Sequence, residues 1–125
     1  MARPSHKELS NKLKLAREKV SQGKILLIKP EIIVADALEL NYSVEADLQT
    51  ILLDLIDNTS PKDYVGDRPP QKSYENDIKD LDLFAFKSRC SSFTDYIYLK
   101  FALTDTCLFI VSLHKHREQE VNDGK

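Results

Sequence analysis

The chain is poor in cysteine, glycine and long apolar runs, and it has no excess of positive charge. Two cysteines, Cys90 and Cys107, are too few for a disulfide scaffold or a four-ligand zinc site. No apolar run approaches the ~20 residues that a membrane-spanning helix needs. The first residues, Met1 to Lys7, are polar and lack the apolar stretch of a secretory signal, so a cytoplasmic protein is expected. Glycine occurs three times, and there is no Gly-rich phosphate loop. A Ser/His/Asp arrangement, a paired-carboxylate motif, an internal repeat and a low-complexity segment are likewise absent. Eighteen Lys and Arg stand against twenty Asp and Glu, a net charge of −2. Proteins that hold nucleic acid mainly by charge are usually basic. A nucleic-acid role therefore requires a local basic site, with the acidic residues segregated elsewhere.

What is present is an ordinary soluble balance, 42% apolar and 30% charged over 125 residues. That length predicts one domain, residues 1–125, able to bury roughly two-thirds of its unfolded surface. Ser5-His6-Lys7-Glu8 has capping-box spacing, and Leu9, Leu13, Ala16 and Val20 follow as one helical stripe. Gly23 suits the left-handed stop after that helix. Ile25 to Ile28 reads as a strand or an extended connection. Pro30 suits the first turn of a second helix, reaching about Leu38. Over residues 43–57, Val44, Leu48, Ile51, Leu52, Leu55 and Ile56 make a wide apolar stripe, with Glu45 and Asp47 favourably placed in the first turn. Pro61 ends this third helix.

Residues 62–80 are polar and read as a long loop. The period then changes to two. Leu81 to Lys87, Tyr96 to Leu103 and Cys107 to His114 read as strands, and a charged, fraying tail is expected from about 115. Helices first and strands last predict an α+β domain, with N-terminal helices on one face of a C-terminal antiparallel sheet of at least three strands.

The last hairpin is the most informative part. A three-residue turn at Thr104–Thr106 sets Leu103 opposite Cys107, Phe101 opposite Phe109, Leu99 opposite Val111 and Ile97 opposite Leu113. A two-residue slip keeps the faces and sets Tyr98 opposite His114 and Lys100 opposite Ser112. A one-residue slip mixes the faces and is disfavoured. In either allowed register, Tyr96, Tyr98, Lys100, Ser112 and His114 share the face turned from the core. One reading is a solvated face, where strand lysines blunt edge pairing. The other is a site for cleaving RNA through its own 2′-hydroxyl. That reaction needs a base, an acid and a cation at the phosphate. His114 and Tyr98 could handle the protons. Lys100, with Lys87 or Arg89 from the preceding strand, could hold the phosphate. Tyrosine faces such as that of Tyr96 can stack on bases.

Tyr98-Leu99-Lys100, followed by Leu108-Phe109-Ile110-Val111-Ser112-Leu113-His114, resembles the C-terminal strands of the MqsR family (motility quorum-sensing regulator) of RelE-like mRNA interferases. The resemblance continues upstream in Leu13 to Val20, Gln22-Gly23-Lys24, Ala35 to Leu40, the helix of 44–56 and Lys62-Asp63-Tyr64. It implies a RelE-like α+β fold and cleavage of mRNA without metal or other cofactor. It also implies the role of toxin in a type II toxin–antitoxin pair, with mRNA, on or off the ribosome, and a cognate antitoxin as partners. By position it makes Tyr98 the active-site tyrosine, places Lys100 in the same motif, and sets His114 or Lys115 where a basic residue closes the last strand. Lys62 is the nearest match to a lysine after the long helix. The family's strand glutamine has no counterpart at the matching place, Gln71 standing too early. A non-catalytic translational repressor or a protein- or RNA-binding module on the same fold is the alternative.

The other candidates read more plainly. His114 and His116 share a strand face but lack a third metal ligand. His6 reads as a surface residue and Cys107 as a small core residue. No His or Asp spacing marks Cys90 as a nucleophile. Arg68 to Lys72 reads as a solvated loop able to touch RNA or an antitoxin.

Overall fold

The computed structural model describes residues 3–116. Helix α1 spans His6–Ser21, strand β1 Ile25–Leu27, helix α2 Pro30–Leu40 and helix α3 Val44–Asp57; strands β2 (Phe84–Ser88), β3 (Ile97–Leu103) and β4 (Leu108–Lys115) follow. The helices start where local chemistry dictates. Ser5 Oγ accepts the Glu8 N–H at 3.0 Å, and Ser43 Oγ accepts the Ala46 N–H at 3.2 Å. The expected capping box at Ser5 is only half realised, because the Glu8 carboxylate takes Arg3 instead, at 2.6 Å. Asn41 closes α2 in the left-handed conformation (φ 62°), a role asparagine tolerates because its short side chain bonds locally.

The four strands run in the order β1-β4-β3-β2. The fold is α+β with helices early and most strands late, as the patterning predicts. One correction concerns the sheet, which is mixed: Ile25–Leu27 is a true strand and pairs parallel with β4. The core lies between the helices and one sheet face. Leu9, Leu13, Ala16 and Val20 of α1, Ile33 of α2 and Leu48, Leu52, Leu55 and Ile56 of α3 bury Phe84, Phe86, Leu99, Phe101, Ile110 and Leu113.

The hairpin register departs from the expected one. Tyr98 faces His114 and Lys100 faces Ser112, the slipped alternative, but the pairing then shifts so that Phe101 faces Ile110 and Leu103 faces Leu108. Val111 is thus an extra residue in a β-bulge. Toward the turn, Ile110 and Leu108 replace Phe109 and Cys107 on the core face. The one-residue shift is tolerated because the opposite face is apolar there too: Ile78, Leu83 and Ala102 form a second cluster, packed by Ile28, Leu81, Phe109 and Val111.

The segment 62–80 is not a detached loop. It carries 3₁₀ turns at Pro61–Asp63 and Asn76–Ile78. It also lies against β2 through the bridge Tyr64–Phe86, and against the residues just before β2 through the bridge Lys72–Asp82. The expected strand from Leu81 begins only at Phe84. The expected tail from about 115 lies outside the described residues except at its start, where β4 still holds Lys115 and His116 N–H donates to the Tyr96 carbonyl at 2.8 Å.

Candidate functional site

On the sheet face turned from the helices, the ladder aligns chemistry-bearing residues in rows. Lys87 faces Tyr98, which faces His114; one step along, Ala85 faces Lys100, which faces Ser112. Directly opposed side chains of neighbouring strands lie about 5 Å apart at Cβ, so each row forms one cluster. The rings of Tyr98 and His114 stack, with centroids 5.1 Å apart and planes at 22°.

His114 is 8% exposed, far less than a solvated face implies. Its Nδ1 lies 2.8 Å from the Lys115 carbonyl. A carbonyl only accepts, so Nδ1 carries a proton and donates. In the neutral ring Nε2 is then the basic nitrogen.

The segment 64–71 folds over the edge of this face. Val65 N–H donates to the Ala85 carbonyl at 2.9 Å and Leu83 N–H to the Gln71 carbonyl at 2.8 Å. Between this segment and the sheet lies a cleft of about 90 Å³, lined by Gly66, Asp67, Gln71, Leu83, Tyr98 and Lys100. That is roughly the volume of three waters, enough for a small polar group such as a phosphate and too little for a base. Gly66 is needed for close approach: a Cβ there would fall 2.6 Å from Tyr64 Oη. Burial pushes the Tyr64 phenol up, with neighbouring carboxylates adding to the effect and Arg68 opposing it.

The remaining candidate residues gather at the neighbouring end of the sheet. Tyr96 is 47% exposed, with Lys87 Nζ 5.0 Å and Arg89 Cζ 5.5 Å from its ring centre. Tyr96, Arg89 and Lys62 line a larger polar pocket of about 510 Å³, together with Ser60, Asp63 and Ser88. The turn that carries Arg89 is anchored by Asp54, whose Oδ2 accepts Ser91 Oγ (2.9 Å), Ser92 N (3.1 Å) and Ser92 Oγ (2.8 Å). Desolvation works to raise the Asp54 carboxyl, but the Ser92 and Ser91 bonds outweigh it and hold it below its ordinary value.

The structure therefore brings Tyr98, Lys100, His114 and Lys87 together, with Tyr96 and Arg89 adjoining and Lys62 one pocket away. Lys115 is not part of the cluster. It faces Ile97 on the core-side parity and pairs with Asp95 at 3.8 Å. Two residues that the sequence reading named but left out of the site also border it. Gln71, set aside as standing too early in the chain, lines the cleft beside Lys100, because its loop folds back on the sheet, which no local signal reveals. His116 continues the row of His114; among the described residues neither of its buried ring nitrogens has a hydrogen-bond partner. The strand alternation that placed His114 extends to it.

Among the described residues no group of three His, Cys, Asp or Glu is arranged to hold a metal ion, and no helix is long and apolar enough to cross a membrane. Comparison of the chain with family models, curated proteins and solved structures finds no match.

Charge along the chain is sharply segregated. Residues 30–61 hold seven Asp and Glu and no Lys or Arg, whereas residues 1–29 hold eight Lys and Arg against two Glu. The negative charge of residues 30–61 falls in α2, α3 and their connections, whereas Lys87 lies on β2 and Lys100 on β3; Arg89, just past the end of β2, has Asp57 of α3 in the same pocket.

Proposed function

We propose that the chain is a cytoplasmic endoribonuclease acting on mRNA, the toxin of a type II toxin–antitoxin pair on a RelE-like fold of the MqsR kind. The observation that carries this reading is the row Lys87–Tyr98–His114 beside Lys100 on one sheet face. In the reaction the 2′-oxygen of RNA attacks the adjacent phosphorus as His114 Nε2 takes its proton. Lys100 and Lys87 offset the charge that develops on the phosphate oxygens. The bond from phosphorus to the 5′-oxygen breaks and Tyr98 returns a proton to that oxygen. The products are a 2′,3′-cyclic phosphate and a 5′-hydroxyl. Tyr96, flanked by two cations, offers a stacking platform for a neighbouring base.

The test is incubation of the folded chain with RNA oligonucleotides, followed by end-group analysis. Cleavage leaving 5′-hydroxyl ends, and lost when the attacking 2′-hydroxyl is replaced by hydrogen, is expected. Equal cutting of the deoxy-substituted strand would overturn the mechanism. A second reading, a translational repressor or binding module without cleavage, is favoured by the burial of His114, which leaves little of the ring accessible to substrate. RNA binding with no products would select it.

A further inference from the structure

The helical side of the molecule carries a second surface unrelated to the cleavage face. Val34 and Leu38, one turn apart on α2, are 46% and 75% exposed. A helix of an ordinary soluble protein turns such a pair inward. Beside them a groove of about 580 Å³ runs between α2 and the start of α3, with Ala37, Tyr42 and Val44 in its walls and Glu45 and Asp47 among its lining residues. Tyr42 brings a hydroxyl that is buried and has no hydrogen-bond partner among the described residues.

The charged residues that line this groove, Glu45 and Asp47, have one sign. Residues 30–61 contain no Lys or Arg at all.

We propose that this groove docks a basic amphipathic helix from a partner protein. The partner's leucine-type side chains would cover Val34 and Leu38, and its Lys and Arg would lie toward Glu45 and Asp47. Apolar anchors within a rim of opposite charge are the general pattern of helix-in-groove recognition. The alternative occupant, a second copy of this chain, would have to offer α1, the basic helix. Its outward face carries one exposed apolar residue, Leu15, too few to match a groove with two anchors.

The experiment uses the full chain and three fluorescein-labelled peptides of about four helical turns. The first is Leu/Lys with its leucines on one helical face, the second has the same composition in scrambled order, and the third is Leu/Glu. The first peptide is expected to bind, with amide shift changes confined to residues 34–47, and the other two to bind at least about tenfold more weakly. Leu38→Lys and Glu45→Lys should each weaken binding about tenfold. Both positions lie on the surface, and circular dichroism checks that the variants fold. Absence of binding, equal binding of the scrambled peptide, or shifts centred elsewhere would overturn the proposal. So would sedimentation of the free chain as a dimer that Leu38→Lys dissociates, which would assign the groove to a second copy. RNA cleavage, read in parallel, should be unaltered by Leu38→Lys, so this proposal and the ribonuclease reading fail separately.

Discussion

At the scale of single residues, the stacked pair Tyr98–His114 is where the chemistry should be most sensitive. Tyr98→Phe keeps the ring and removes only the hydroxyl. It is expected to lower RNA cleavage by about 100-fold, the lower range for loss of one acid–base group, with the folded structure retained. Single-turnover cleavage and a melting curve on the same preparation check both halves. Tyr42 tests a different property. Burial, with Asp36 adding to the effect, pushes its phenol up to about 12 from an ordinary value of 10.0. The folded state thus favours the neutral phenol, so Tyr42 contributes stability that is complete below pH 10 and is lost as pH rises through its folded value. Ultraviolet titration of tyrosinate should show a late step that Tyr42→Phe abolishes. The residue scale also marks the limit of reading a sequence. Alternation found Tyr98 and Lys100, because a strand puts every second side chain on one face. Gln71 was set aside as too early because its place beside Lys100 depends on a fold-back of its loop, which no local period encodes.

At the scale of elements, two loops decide the shape of the site. Gly66→Ala would drive a methyl into the Tyr64 ring. Overpacking of this kind costs about 1–3 kcal/mol, and the segment 64–71 would shift from the cleft. The expected result is a lower melting temperature together with slower cleavage. Asp54 matters at the other end. Asp54→Ala removes three bonds that tie the turn of Ser91 and Ser92 to α3. Because Asp54 is largely solvent-accessible, a discounted cost of about 1 kcal/mol is expected. RNA affinity should fall with it, through the loosened Arg89, which titration at two salt concentrations measures. The helices were the most legible elements, since caps and apolar stripes at Ser5, Leu9, Ser43 and Leu48 are local signals. The hairpin was half legible. Its polar row of Tyr98 and His114 followed from alternation, whereas the bulge at Val111 did not, because both neighbouring faces are apolar near the turn and either register buries greasy side chains.

For the molecule as a whole, three carboxylates link folding to acid. Arg17, through its hydrogen bond and charge, holds Asp57 below the ordinary value of 3.8, against a smaller desolvation. At Asp82 desolvation opposes, but Lys72 and Arg3 prevail, and at Asp54 the two serines do. A carboxyl lowered in the folded state stabilises above its unfolded value, and that stability is lost as pH falls through the folded one. Denaturant unfolding should therefore show stability declining below pH 3.8. Asp82→Asn should lower the plateau and flatten the decline, since Asp82 ties Arg3 and Lys72 to the start of the sheet edge. A net charge of −2 hides a basic N-terminal section, an acidic middle section and a nearly balanced remainder whose strands β2 and β3 carry Lys87 and Lys100.

The sequence by itself determined the class of the fold, the three helices, and the shared face of Tyr98, Lys100 and His114. Each of these rests on short-range periodicity, which apolar burial enforces over a few residues. Only the tertiary structure decided that the sheet is mixed, that Val111 bulges, that Lys115 turns away and that Gln71 joins the cleft. These depend on contacts between segments far apart in the chain. Their energies are set by which surfaces meet, and no single stretch of residues carries that information.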